Sequence, residues 1–486
     1  MPARYWFLGL VIGAGLLGWY AAVGRPVVAT PALPPANIMT VSTAAPRETH
    51  AAMGNSGCAA QGCHGAVTSH AQPLSIWGTD AADRDRWRES ATIFNGHDPH
   101  RLAFDTLKTD RSAAIQHLLQ AKTPAWEDAR CLACHANPTT ASNPSASAKA
   151  LHADGVSCEA CHGNSSEWID AHTKWDAGMI RYSVLDEVGM TRLDNVYERA
   201  DTCVRCHVGA PAEGNIPRRD VNHDLIAAGH PRLNFDYATA MDRLPAHWVE
   251  KLREGVITPL LGEKQLLAPG HWRIGRQMAN VAAYRLLADR AALAEANPQA
   301  WPEFAEHDCF ACHRGLDPDR KKFSPTPTRL TGGLGREAPP LLHALLRDIP
   351  RTDDVEALMK KPGASPADIA KRATAAADEW SKARLLERHP GLRESQSIAK
   401  KLAEADLPIT WAEACQRFYC LDYLNRVGQT GLDKQIDDIR PLLQFQRDPV
   451  EINSPATADL PLAGRKLREI AERLAQPAPP AEPAKK

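Results

Sequence analysis

Residues 158–162, Cys-Glu-Ala-Cys-His, are one copy of a pattern that occurs four times in this chain and decides its fold. The other copies are Cys131-Leu-Ala-Cys134-His135, Cys203-Val-Arg-Cys206-His207 and Cys309-Phe-Ala-Cys312-His313. A wider version, Cys58-Ala-Ala-Gln-Gly-Cys63-His64, stands upstream of them. Ten of the 12 cysteines lie in these five strings. The cysteines are therefore placed for one shared chemistry.

Two cysteines separated by two residues and followed at once by histidine are typical of c-type haem attachment. Each sulfur bonds one haem vinyl group, and the histidine lies over the iron as its proximal ligand. Zinc sites and disulfides are the alternatives, but neither explains a histidine after every second cysteine. The sequence predicts five covalently bound haem c groups. The attachment residues are Cys58, Cys63, Cys131, Cys134, Cys158, Cys161, Cys203, Cys206, Cys309 and Cys312, and the proximal ligands are His64, His135, His162, His207 and His313.

The overall composition fits a folded chain built around such cofactors. Lys plus Arg is 57 and Asp plus Glu is 58, so the formal net charge is −1. This balance argues against a nucleic-acid-binding protein, which normally carries a basic excess. Aromatic residues make up only 6%, so we expect the porphyrins to fill space that aromatic side chains fill elsewhere. In the first string four residues separate the cysteines, and Gly62 is expected to ease the extra bulge.

The N-terminus predicts export from the cytoplasm. Residues 5–23 are uncharged and mostly apolar, and as a helix they would span about 28 Å, close to the thickness of a bilayer core. They form either an anchor in the inner membrane or a signal peptide that is cleaved near Ala21 and Val23. Because haem is attached to c-type cytochromes outside the bacterial cytoplasmic membrane, both alternatives place the remainder on the periplasmic side.

Changes in composition along the sequence divide the chain into six segments. The fold class that we predict is mainly α with extensive loops: a multihaem cytochrome c domain organised around five haems, followed by a C-terminal helical domain. The predicted segments are 1–24, anchor or signal peptide; 25–50, Pro/Ala-rich linker; 51–322, pentahaem domain; 323–341, Pro/Gly-rich linker; 342–475, helical domain; and 476–486, disordered tail. Periodic apolar residues predict helices at 107–120, 276–294, 341–347, 366–388, 394–404, 409–427, 432–446 and 459–474.

Two cysteines, Cys415 and Cys420, stand outside the haem strings, and Leu421 follows them where a haem string would have histidine. We predict a disulfide between them, as suits an oxidising compartment. Two buried thiols are the alternative.

Three further stretches resemble the cytochrome c554 family, which belongs to a wider set of multihaem cytochromes that includes hydroxylamine oxidoreductase. They are GHDPHRLAFDTL with His100, DGVSCEACHG (154–163) followed by SSEWIDAHTKW with His172, and VNHDLIAAGHPRLNFD (221–236) with His230. The resemblance covers about residues 55–250 and rests also on the order and spacing of four haem strings.

The resemblance implies which histidines complete the iron coordination. His100, His172 and His230 are then distal ligands: His172 on the haem of His64, His100 on that of His207, and His230 on that of His162. In the tetrahaem relatives the second haem lacks a strong distal ligand, which points here to the haem of His135.

Spacing adds two more distal candidates. His223 precedes His230 by seven residues, so a helix would place both on one face, and His152 stands six residues before Cys158. Weaker candidates are His70, His117, His247, His271 and His307.

Two functions fit these observations. The first is a relay that carries electrons between periplasmic or membrane redox partners, such as a quinol oxidoreductase or other cytochromes. The alternative is a multihaem oxidoreductase that acts on nitrite, hydroxylamine, nitric oxide or a small sulfur compound at one open-coordinate haem. The first is favoured because the chain contains no catalytic signature beyond the haem strings, and no Cys-x-x-Cys-Lys string of the pentahaem nitrite reductases.

Overall fold

The computed structural model describes residues 50–67, 87–143, 145–173, 187–193, 195–233, 235–247, 267–306, 353–383, 391–408, 411–443 and 459–476. Contacts group the chain into two units, Met1–Ile38 and Met39–Lys486, and all described residues belong to the second. Several predicted features lie outside the described residues: the apolar segment 5–23, the fifth haem string, the linker 323–341, the helix at 341–347, and the candidate ligands His70 and His307.

The prediction of a mainly α fold is confirmed, since helices dominate the described residues. These residues contain no strand, only two isolated antiparallel bridges that join Ala210 to Arg219 and Glu213 to Ile216. Among the described helices, none is both long and apolar enough to span a bilayer.

The described residues between 50 and 247 form short helices. The α-helices are α1 (Ser90–His97), α2 (Ala103–Thr106), α3 (Asp110–Leu118), α4 (Ala129–His135), α5 (Ala146–Leu151), α6 (Cys158–His162), α7 (Ile169–Thr173), α8 (Val196–His207), α9 (His223–Ala227) and α10 (Tyr237–Arg243). Single 3-10 turns lie at Asn55–Gly57, Pro99–Leu102, Ala125–Glu127, Pro138–Thr140 and His152–Asp154. The helix predicted at 107–120 is α3.

Residues 267–476 contain longer helices. They are α11 (Leu267–Ala296), α12 (Asp353–Lys360), α13 (Pro366–Ser381), α14 (Leu392–Glu404), α15 (Trp411–Gly428), α16 (Asp433–Asp437), α17 (Arg440–Leu443) and α18 (Leu460–Ala475), with 3-10 turns at Pro298–Ala300 and Phe304–Glu306. The helices predicted at 366–388, 394–404, 409–427 and 459–474 correspond to α13, α14, α15 and α18. The helix predicted at 432–446 is interrupted before α17, where Pro441 occupies the second position and cannot donate a backbone hydrogen bond. α12 was not predicted.

The long helix α11 connects the two parts. It packs against α13 in the C-terminal part and against α8 and α10 in the haem-string part. The amide of Gln277, 1% exposed, donates to the carbonyl oxygens of Trp380 and Ala383 at 2.9 and 2.8 Å. On α15, Gln416 accepts from the Trp272 indole and donates to Asp236 at 2.9 Å. The helices after residue 353 therefore pack with α11, which precedes the predicted linker.

The predicted disulfide between Cys415 and Cys420 is wrong, because both residues are buried thiols. They lie five positions apart on α15. At about 100° per residue, their side chains leave the helix roughly 140° apart. The sequence distance is short, but the helix turns the two sulfurs away from each other.

Candidate haem sites

Three of the haem strings form the ends of helices. α4, α6 and α8 each terminate at the histidine of their string, His135, His162 and His207. A side chain at position i and one at i+3 share a helix face, so both sulfurs of each string point the same way. The helix starts are capped for α4 and α8: Asp128 accepts from the Arg130 N–H, and Asn195 from the Tyr197 N–H.

The first string forms a turn instead of a helix. The His64 N–H reaches back to the Cys58 carbonyl at 3.3 Å, and the Cys63 N–H donates to Ala60 at 2.9 Å. The extra two residues are thus absorbed by the turn, as expected. The glycine that this requires is Gly65, because a Cβ there would lie 2.0 Å from the Ala59 carbonyl oxygen, whereas Gly62 has open space around it.

Each of the four described string histidines faces one other histidine. The ring centroids of His64 and His172 are 6.2 Å apart, and those of His207 and His100 are 6.0 Å apart. His135 lies 6.4 Å from His230, and His162 lies 6.3 Å from His247. The four separations agree within 0.4 Å although the partners come from unrelated parts of the sequence.

Hydrogen bonds at Nδ1 hold these rings in a defined orientation. The Nδ1–H of His64 donates to the Trp87 carbonyl at 2.6 Å, and that of His135 to the Ala103 carbonyl at 2.9 Å. On the facing rings, His172 donates to Ile169, and His230 donates to Pro231 at 2.8 Å. A carbonyl oxygen only accepts, so Nδ1 carries the proton and Nε2 keeps its lone pair. This is the tautomer that binds a metal through Nε2.

His100 is oriented by a carboxylate. Its Nδ1 lies 2.8 Å from Asp98 Oδ1, and Asp98 is buried. Burial acts to lower the pKa of His100, but the hydrogen bond and charge of Asp98 outweigh it and raise the pKa. His207, which faces His100, stacks on the ring of Phe235 with centroids 4.6 Å apart.

Residues 87–163 match the family model of cytochrome c554 and c-prime. This segment is similar to the cytochrome c554 family. The match is confined to less than a fifth of the chain, which includes His100 and the second and third haem strings. No curated protein and no solved structure matches the chain.

The match confirms the predicted resemblance over these residues. Residues 87–163 are thus similar to a c-type cytochrome of the c554 kind, and proteins of that kind carry covalently bound haem c.

The paired rings fit the iron of a haem. An imidazole nitrogen binds a first-row transition metal at about 2 Å, and the ring centre lies roughly 1 Å beyond it, so two rings on opposite sides of one metal are about 6 Å apart. Among the described residues, no three His, Cys, Asp or Glu side chains cluster closely enough to hold a metal by themselves. A metal between two rings would therefore need further ligands, which a porphyrin would supply.

The electrostatic environment also suits iron ligation. Burial lowers the pKa of His162 to about 3 and that of His207 to about 4. Burial also lowers the pKa of His135, His230 and His247. These rings are thus neutral at neutral pH, and each offers a lone pair to a metal.

The ring pairs differ in part from those that the resemblance implied. His172 faces His64 and His100 faces His207, as the resemblance implied, but His230 faces His135 instead of His162. α9 ends at Ala227, so His223 and His230 do not share a helix face. The ring beside His162 belongs to His247, a weak candidate in the sequence. No local motif marks His247, because a distal ligand can come from any sequence distance.

The two candidates found by spacing lie elsewhere. His152 is buried, with Nε2 3.3 Å from the Thr140 carbonyl and its ring centroid 5.9 Å from that of Phe104. Its Nε2 is therefore engaged with the backbone. His223 lies at the start of α9, where its ring contacts Phe304 at 5.6 Å and its backbone N–H donates to Glu303 at 2.9 Å.

The strings also approach one another in two pairs. The thiols of Cys58 and Cys158 are close enough to shift each other's pKa, and so are those of Cys134 and Cys206. We name these contacts the first junction (strings one and three) and the second junction (strings two and four). In a haem-loaded protein these four sulfurs would each bond a haem vinyl group.

Proposed function

We propose that this protein is a multihaem electron relay in which each described ring pair ligates one haem iron. The observation that supports the relay is that every described string histidine faces a second histidine. An iron with two histidines and four porphyrin nitrogens has no position for a substrate. The second haem would then also be six-coordinate, through His135 and His230, which weighs against small-molecule chemistry at that site.

The two junctions support a continuous path for electrons. Cys58 and Cys158 would join the haems of His64 and His162, and Cys134 and Cys206 would join those of His135 and His207. Asp98 lies near His100 and His247, the rings facing His207 and His162, and so connects the two pairs. Four haems would thus form one chain, with the protein fixing their spacing and ligands.

A fifth haem completes the proposal. Its attachment residues are Cys309 and Cys312, with His313 as proximal ligand. His223 contacts Phe304, which precedes Cys309 by five residues in the sequence. This proximity supports His223 as the second ligand of the fifth iron.

The proposed setting is the periplasmic side of the bacterial inner membrane. Residues 5–23 would anchor the chain there or be cleaved as a signal peptide. The partners would be redox proteins, either a quinol oxidoreductase or other cytochromes. The haem strings support this setting, because haem is attached after export.

Electron paramagnetic resonance (EPR) of the oxidised protein tests the ligand pairs. The rings of His64 and His172 are nearly parallel, with an interplanar angle of 11°, whereas the other three pairs lie at 60° to 84°. Parallel imidazole planes split the iron d orbitals and give a rhombic low-spin signal, and perpendicular planes give a strongly anisotropic one. His172→Ala should convert one rhombic low-spin haem to high spin.

The matched control is His117→Ala, since His117 is an exposed histidine on α3. It should leave every signal unchanged. A low-spin spectrum that is the same in His172→Ala as in the unmodified protein would contradict the assignment. Turnover of nitrite or hydroxylamine at a ligand-sensitive high-spin haem in the unmodified protein would favour the enzyme instead.

A further inference from the structure

The two junctions carry opposite buried charge. At the first junction the charged residue closest in sequence is Glu159, which stands between Cys158 and Cys161. At the second junction it is Arg205, which stands between Cys203 and Cys206. The other charged residues around each junction increase this difference in charge.

Carboxylates dominate the first junction. Glu159 is 3% exposed, and its two oxygens accept from the Met53 N–H at 2.9 Å, the Gly54 N–H at 2.7 Å and the Ser165 N–H at 2.8 Å. Asp154 accepts from the Asn55 N–H at 2.8 Å. These backbone amides, and the Ser165 hydroxyl that donates to Glu159 at 2.7 Å, are uncharged donors, so they leave the net negative charge of the carboxylates in place. Both carboxylates lie within electrostatic reach of Cys58.

Arginines dominate the second junction. Arg219 is 4% exposed, and its backbone pairs with Ala210, three residues beyond His207, through hydrogen bonds of 2.9 and 3.0 Å. Its guanidinium lies within electrostatic reach of both Cys134 and Cys206. Its ion-pair partner, Glu213, is 3.6 Å away and half exposed. An arginine keeps its charge at any pH that the protein survives.

The other charges at the second junction leave it positive. Arg205 pairs with Asp201 at 2.7 Å and with Glu213 at 3.1 Å, and Arg285 lies 3.8 Å from Asp201. Three arginines, Arg219 included, thus share two carboxylates. Water screens charges less when they are buried, so the difference between the junctions acts on the haems directly.

We propose that Arg219 and Glu159 set the direction of electron transfer: Arg219 raises the reduction potentials of the haems at His135 and His207, and Glu159 lowers those at His64 and His162. This inference rests on the proposed function, since it requires haem at all four strings. A positive charge near a haem favours the reduced iron, and a negative charge favours the oxidised iron. Electrons therefore move from the first pair of haems to the second.

Asp98 sets the order of the reduction potentials within the second pair of haems. Its carboxylate accepts from His100 Nδ1, which increases electron donation to the iron and lowers the potential of the haem at His207. At His135 and its facing ring, His230, both Nδ1–H groups donate to neutral backbone carbonyls. The haem of His135 is thus the final acceptor of the four.

A redox titration followed by EPR tests the proposal on the full, haem-loaded chain. The signals are first assigned in oxidised His172→Ala, His247→Ala, His230→Ala and His100→Ala proteins, each of which should lose one low-spin signal. Arg219→Gln should then shift the electron distribution between the two pairs at least tenfold towards the first pair, which corresponds to about 59 mV for a one-electron couple. Arg219→Lys keeps the charge and should stay within about twofold of the unmodified protein.

Arg218→Gln is the matched control, because the neighbouring Arg218 pairs with Asp289 on α11 and is 28% exposed. In Arg218→Gln the electron distribution between the two pairs of haems should change less than twofold. The proposal is wrong if the two pairs keep their relative potentials in Arg219→Gln, or if Arg218→Gln shifts them equally. If Arg219→Gln does not fold, the same titration is made on Arg205→Gln. A shift of the electron distribution towards the first pair of haems supports the proposal, and no such shift contradicts it. A protein whose intact mass lacks haem would refute the proposed function instead, before any titration.

Discussion

The described residues of 50–247 and those of 267–476 differ in helix length and in how they can be stabilised. In the first region the described helices have four to 12 residues, whereas five helices of the second have 13 to 30. Isolated helices shorter than about 12 to 15 residues are marginal in water. The first region therefore needs another source of stability, and we expect haem bound by its paired histidines and strings to provide it. The second is held by side chains that pack along long helices.

The largest expected effect comes from withholding haem. Produced in a host without haem-attachment enzymes, the full chain should lose the structure of residues 50–247, because its histidine pairs would have no iron between them. Limited proteolysis with fragment mass spectrometry should show this region cut at least tenfold faster than in the loaded protein. Sites within α13 to α18 should change much less. Equal acceleration in both regions would show that the second also depends on haem.

The next effect is confined to the C-terminal region. Trp380 on α13 is 3% exposed, and its carbonyl oxygen accepts from Gln277 on α11. Trp380→Ala should lower the free energy of unfolding of this region by about 3–5 kcal/mol, because it leaves a large cavity. Urea titration followed by circular dichroism measures this, and haem absorbance should stay unchanged.

Trp126→Ala provides the comparison, since Trp126 is 39% exposed and lies in the first region. This substitution should change the free energy of unfolding by no more than about 0.5 kcal/mol. If the two substitutions cost the same, packing around α13 is not what holds the second region together.

The same contrast explains what the sequence could predict. The haem strings were found because their chemistry is local, and α13, α14, α15 and α18 because amphipathic periodicity is local too. The facing histidines are not local. His100 and His172 were found through the resemblance alone, and His247 lies between Ala246 and Trp248 with nothing to mark it. The difference in charge between the junctions depends on Arg219, which approaches the strings only through its bridge to Ala210.

The smallest expected effect compares two glycines that have positive φ angles. Gly155, before the third string, and Gly363, between α12 and α13, have φ angles of 68° and 70°. Alanine should cost about 1–2 kcal/mol at Gly363 and more at Gly155, whose ψ of −145° lies near a backbone region that is almost exclusive to glycine. At Gly363 a Cβ meets nothing within 4 Å, but at Gly155 it would lie 2.5 Å from the His100 carbonyl oxygen.

Gly155→Ala should therefore cost more than Gly363→Ala in thermal unfolding, and it should also alter the EPR signal assigned to His207 and His100. The reason is that the backbone carrying His100 must move away from the third string, to which it is joined by the Val156 N–H at 3.1 Å. Gly363→Ala should leave every haem signal unchanged. Equal costs with unchanged spectra would mean that the position of His100 is fixed by Asp98 alone, and that the loops of the first region tolerate displacement as readily as those of the second.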